Sequence, residues 1–95
     1  MSDFTVIYDH EPEDDNILIA FKVGEHLRHF SLTRAAIEHS TNERPKTINE
    51  MEEILRRHFD RLRPYLERIA QRDWSNVIIV MRELLPKFER PRVEH

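Results

Sequence analysis

"WSNVIIVMRELLPKF" (Trp74–Phe88) admits two readings, and the choice between them decides the fold. As a helix, Trp74, Val77, Met81, Leu84 and Phe88 fall on one face. As a strand, its centre is "VIIV" (Val77–Val80), four β-branched residues in succession. Such side chains lose rotamer freedom against a preceding helical turn and pack well on a pleated surface. An unbroken apolar run also suits a strand buried on both faces. The helical reading would moreover leave Ile79 in water. We therefore read Asn76–Met81 as a strand, with a helix as the alternative. Pro86 then ends a short helical turn over Arg82–Leu85, and residues 87–95 read as a frayed tail.

A C-terminal strand needs a sheet to join. "ILIAFKV" (Ile17–Val23) places Ile17, Ile19, Phe21 and Val23 on one face and Leu18, Ala20 and Lys22 on the other. Gly24 is the only glycine in the chain, and it supplies the reversal that a tight turn requires. "HLRHFSL" (His26–Leu32) returns as the partner strand, with Arg28 and Phe30 on one face and Leu27 and His29 on the other. Upstream, "FTVIY" (Phe4–Tyr8) reads as a further strand or extended arm. The polar, proline-containing "DHEPEDDN" (Asp9–Asn16) reads as a loop.

Two helices lie between hairpin and last strand. "TRAAIEHS" (Thr33–Ser40) is short, with Ser31 or Thr33 available as a cap and Leu32, Ala36 and Ile37 to pack on the sheet. After the Pro45 linker, "TINE" (Thr47–Glu50) is a capping-box match. The series Ile48, Met51, Leu55, Phe59, Leu62, Leu66, Ile69 then holds one helical face for about six turns. Pro64 falls inside it, removing one hydrogen bond and crowding the carbonyl four residues back. The apolar phase does not reset across Pro64, so one long kinked helix is expected, with a break into two as the alternative. The fold class is α+β: a small antiparallel sheet packed on one short and one long helix, forming a single domain over residues 1–95.

Composition sets bounds on function. A chain of 95 residues buries only about 60–65% of the surface its unfolded form exposes, which leaves room for one core. There is no cysteine, so neither a disulfide framework nor a thiolate metal site is possible. The first residues lack a positively charged start followed by an apolar stretch, and no apolar run approaches a membrane span. A cytoplasmic location without membrane association is expected. Net charge is -3, but residues 1–16 hold six acids and no Lys or Arg, leaving +3 on the remainder. Such asymmetry suits an acidic N-terminal segment facing a basic surface or partner.

The segments "ILIAFKVGEHLRHFSLTRAAIEH", "LRRHFDRLRPYLERIAQR" and "NVIIVMREL" together resemble a family of short bacterial proteins known only as a domain of unknown function. Phe21, Gly24, the Thr33–Ala36–Ile37 stretch, Phe59, Arg63, Leu66 and Ala70 match its pattern, over roughly residues 17–81. Pro64 and the short "DWSN" before the last strand depart from it. The resemblance implies a small α+β fold and brings no activity and no catalytic residue.

Candidate sites are few. Arg57, Arg61, Arg68 and Arg72 form a stripe opposite the apolar face of the long helix, suited to phosphates or an acidic partner. Against this, Glu53, Asp60 and Glu67 are interleaved with them, and the pI is near 6.1, low for a nucleic-acid binder. We read the stripe as a solvated helix face. His26 and His29 lie three apart on a strand and point to opposite faces, so they cannot share a metal. His10 with its acidic neighbours reads as a solvated loop. His39, near the end of the short helix, reads as a favourable C-terminal cation. The serines sit in cap or turn contexts, and one glycine cannot build a phosphate loop. No catalytic residue, metal or cofactor is expected. The second sheet face, carrying Leu18, Ala20 and Phe30 on this reading, suggests a homodimer or protein partner through that face or the long helix.

Overall fold

The computed structural model describes residues 4–7 and 16–88. It contains β1 (Thr5–Ile7), β2 (Asn16–Val23), β3 (His26–Thr33), α1 (Arg34–Thr41), α2 (Ile48–Arg72) and β4 (Val77–Val80), followed by a 3-10 turn (Arg82–Leu84). The four strands form one sheet in chain order. The α+β class stands, with one short and one long helix. The sheet is mixed, because β4 pairs parallel to β3 after the two-helix crossover, whereas β1–β2 and β2–β3 are antiparallel. A parallel neighbour needs such a crossover, since a tight turn can only reverse the chain.

Local chemistry sets the element ends. Gly24 takes φ 65° in the β2–β3 turn, and Val23 pairs with His26 across it. Thr33 caps α1 by accepting from the Ala36 amide at 3.0 Å. Asn42 ends that helix in the left-handed region, φ 60°, with its N–H on the Glu38 carbonyl. The α2 capping box is complete: the Glu50 amide donates to Thr47 Oγ1, and the Thr47 amide donates back to Glu50 Oε2, each at 3.1 Å. α2 runs unbroken through Pro64. The proline ring faces outward and is exposed, which leaves the apolar face intact.

The core is a single layer between one sheet face and the helices. Ile17, Ile19 and Phe21 of β2, Phe30 and Leu32 of β3, and Ile78 and Val80 of β4 supply the sheet side. Met51, Leu55, Phe59, Leu62, Leu66 and Ala70 of α2, with Ala36 and Ile37 of α1, supply the helix side. Phe30 therefore belongs to the core and not to the second sheet face, as its register opposite Ile19 requires. Phe21 stacks on Phe30 at 4.8 Å between ring centroids and meets Phe59 edge-on at 5.1 Å. Phe4 closes the cluster against Phe59 at 4.8 Å. At the far end, Phe88 donates its amide to the Ser40 carbonyl and packs near Tyr65. The segment expected to fray from residue 87 is thus anchored at Phe88. Residues 89–95, and the acidic loop with His10, lie outside the described residues.

Candidate interaction surface

α2 presents its charged side outward, and the structure accounts for most of the stripe. Arg57 Nη2 meets Glu43 Oε1 at 2.9 Å. Arg61 lies over the Phe88 ring at 4.8 Å and Arg68 over Tyr65 at 5.9 Å, both cation–π geometries. Arg72 sits exposed in the last turn, where a cation complements the helix dipole. Two further arginines of α2 pair within the helix, Arg56 with Glu52 at 3.0 Å and Arg63 with Glu67 at 3.8 Å. The four stripe residues are on one face as spacing dictates, but three of them, Arg57, Arg61 and Arg68, take different local partners instead of joining Arg72 in one open positive field.

Glu43, in the linker, is the pivot of that arrangement. Its other oxygen bonds His58 Nε2 at 2.8 Å, so one carboxylate ties the linker to two successive residues of α2. Burial pushes the Glu43 carboxyl up, yet hydrogen bonds from His58 and Arg57 and the nearby charges outweigh it and hold the group below its ordinary 4.5.

Arg28 is the charged residue on the core face, 9% exposed. Its guanidinium donates to the Ala70 carbonyl at 3.0 Å and to the Asp73 carbonyl, satisfying the C-terminal end of α2 from the sheet. It also lies over the Trp74 ring at 4.8 Å. His26 meets the same ring edge-on. The alternation of β3 placed Arg28 on this face, but nothing near it in sequence indicated its partners. His29 lies on the opposite face, opposite Ala20. Among the described residues there is no group of three or more His, Asp or Glu placed to hold a metal.

The second face of the sheet is built by register. Ile7, Leu18, Ser31 and Ile79 form one cross-strand row; Thr5, Ala20, His29 and Val77 form the next. α1 and α2 both pack on the other face. The large apolar side chains most exposed among the described residues are Leu27, Trp74, Val77, Ile79, Met81 and Leu84, and all but Leu27 lie in the stretch that contains β4. Ile79 is 58% exposed in the strand. Its exposure therefore does not separate strand from helix; β-branching does. β4 is also an edge strand, and its outer side pairs with no strand among the described residues. Native edges are usually blunted by charge or proline. Val77–Val80 carries neither.

No family model matches this chain, and no curated protein or solved structure matches it either. No helix among the described residues is long and apolar enough to cross a membrane.

Proposed function

We propose that this chain is a non-enzymatic cytoplasmic accessory module that acts through protein interaction and self-associates by the β4 edge and the open sheet face beside it. The observation that carries the reading is the unblunted Val77–Val80 edge flanked by exposed Val77, Ile79, Met81 and Leu84. A strand added to that edge would satisfy its outward backbone groups, and the exposed side chains would cover one another. A second copy fits this chemistry, because an edge of four β-branched residues is self-complementary about a two-fold axis. The long helix is the weaker candidate for the contact: its apolar side is already buried and its outer side is charged.

Sedimentation velocity over a concentration series tests this. The expected result is a reversible dimer for the natural chain and a monomer for Ile79→Arg, with unchanged circular dichroism since Ile79 is outside the core. A natural chain that stays monomeric at every concentration refutes the reading. The alternative is a nucleic-acid binder using Arg57, Arg61, Arg68 and Arg72. It would be supported by labelled nucleic acid binding that falls steeply with salt and disappears when all four become Glu. The partners already taken up by Arg57, Arg61 and Arg68 argue against that outcome.

A further inference from the structure

The open face of the sheet is unlike the rest of the surface. In a chain that is 35% charged, Lys22 is the one charged residue among the outward strand positions, and none is acidic. A sheet face that meets water normally alternates to polar residues. Here Leu27, Val77 and Ile79 are exposed, and Leu18 is half-buried on β2. The segments outside the described residues do not suit this face as a cover. Residues 8–15 hold five acids and no aliphatic side chain, and residues 89–95 hold one, Val93. The latter also depart from Phe88, which is held on the helix side by Ser40 and Tyr65. A lipid surface suits it no better. Surface-binding elements carry several Lys or Arg beside their apolar side, and this face offers Lys22 alone.

Edge pairing through β4 does not close the face. The two-fold axis that sets β4 antiparallel to β4 of a second copy stands perpendicular to the sheet, because antiparallel neighbours keep their matching side chains on one side. Both helix layers then lie on one side and both open faces on the other. Val77 and Ile79 of the two copies become cross-strand neighbours. The result is one eight-stranded sheet whose acid-free face still meets water.

Size decides what can cover it. The strands contain 3, 8, 8 and 4 residues. At about 3.3 Å along the strand and 4.8 Å across it per residue, they span roughly 370 Å² in each copy. Two single copies stacked face to face would bury roughly 700 Å² in total, under the 1,200 Å² or so where stable interfaces begin. Two edge pairs stacked the same way would bury roughly 1,500 Å², inside the stable range. Lys22 is no obstacle, because it lies next to the β2–β3 turn and its ammonium can extend past the rim. We propose that two edge pairs stack through these faces, giving a tetramer with three mutually perpendicular two-fold axes. This rests on the edge-pairing reading and adds to it a second, separable contact.

Sedimentation velocity and native mass spectrometry of the full chain over a wide concentration series test the proposal. The expected result is a dimer at low concentration that passes to a tetramer as concentration rises. Leu18→Lys and Leu27→Lys place a charge on the face, away from β4 and outside the core. Each occurs four times in the tetramer, so each should weaken the dimer-to-tetramer step about 100-fold or more and leave the dimer intact. Their circular dichroism should match the natural chain. Ile79→Arg should give a monomer, because it removes the edge pair on which stacking depends. A natural chain that dimerises and goes no further overturns the tetramer and leaves the edge reading standing. A natural chain that is monomeric throughout removes both. A tetramer that survives both lysine variants overturns the proposal, as does a Leu18→Lys chain that is monomeric, which would make the face the primary contact. A dimer that floats with anionic vesicles, and ceases to with Leu27→Ser, would give the face a lipid occupant and overturn it too.

Discussion

Arg28→Met isolates the interaction that joins the end of α2 to the sheet. Methionine keeps much of the unbranched apolar stem and removes all five donors. The guanidinium now satisfies the Ala70 carbonyl and the Asp73 carbonyl. Hydrogen bonds to charged groups contribute about 1.5–3 kcal/mol each, so two would suggest roughly 3–6 kcal/mol. The lower part of that range applies. The Asp73 carbonyl is only part-buried and can recover water, while the bond to Ala70 is buried and leaves an orphaned acceptor. Removing the cost of burying the guanidinium offsets a further part. We expect a loss of about 2–4 kcal/mol, and for a domain of this length a fall in Tm of roughly 10–25 °C. Only one partner is deleted, which is why the change is not neutral as an exchange of a whole buried pair for apolar groups can be. Urea unfolding followed by circular dichroism measures it, and the single Trp74, whose ring lies over Arg28, gives a second local probe. Arg28→Lys should fall between the two, since a point-charge donor can reach one carbonyl more easily than both. An Arg28→Met variant within about 0.5 kcal/mol of the natural chain would refute the reasoning, because that is the range of ordinary surface substitutions.

Pro64→Ala should stabilise the chain, by at least 1 and up to about 3 kcal/mol, because it restores an amide donor to the Asp60 carbonyl at an exposed helical position; thermal unfolding measures it. Glu43 predicts a pH dependence. Its folded pKa is depressed below 4.5, so the clamp to His58 and Arg57 contributes fully above the unfolded value and is lost as pH falls through the depressed one. Denaturation curves between neutral pH and about pH 3 should show Glu43→Gln converging on the natural chain toward the acid end, with the gap largest above the ordinary carboxylate pKa of about 4.3.

Elements governed by neighbours a few residues apart were legible in the sequence. The β2–β3 hairpin follows from alternation and one glycine. The Thr33 and Thr47 caps follow from hydroxyls placed before apolar periodic runs, and α2 follows from spacing that Pro64 does not disturb. β4 was identified by its four β-branched residues. The added argument from the exposure of Ile79 did not separate the two readings, because the strand also leaves it outward. Periodicity says which face a residue occupies, but not what lies across from it.

The sequence by itself thus determined the element types, their order and the apolar faces, since those depend on backbone sterics, rotamer freedom and short-range hydrogen bonds. Tertiary structure alone decided the rest. It set β4 parallel beside β3 at an unblunted edge, since strand direction depends on how two helices cross the sheet. It gave Arg28 partners 42 and 45 positions away. It distributed the α2 arginines among Glu43, Phe88 and Tyr65. Each of these is a contact between segments far apart in the chain, fixed by the geometry of packing and carried by no local pattern.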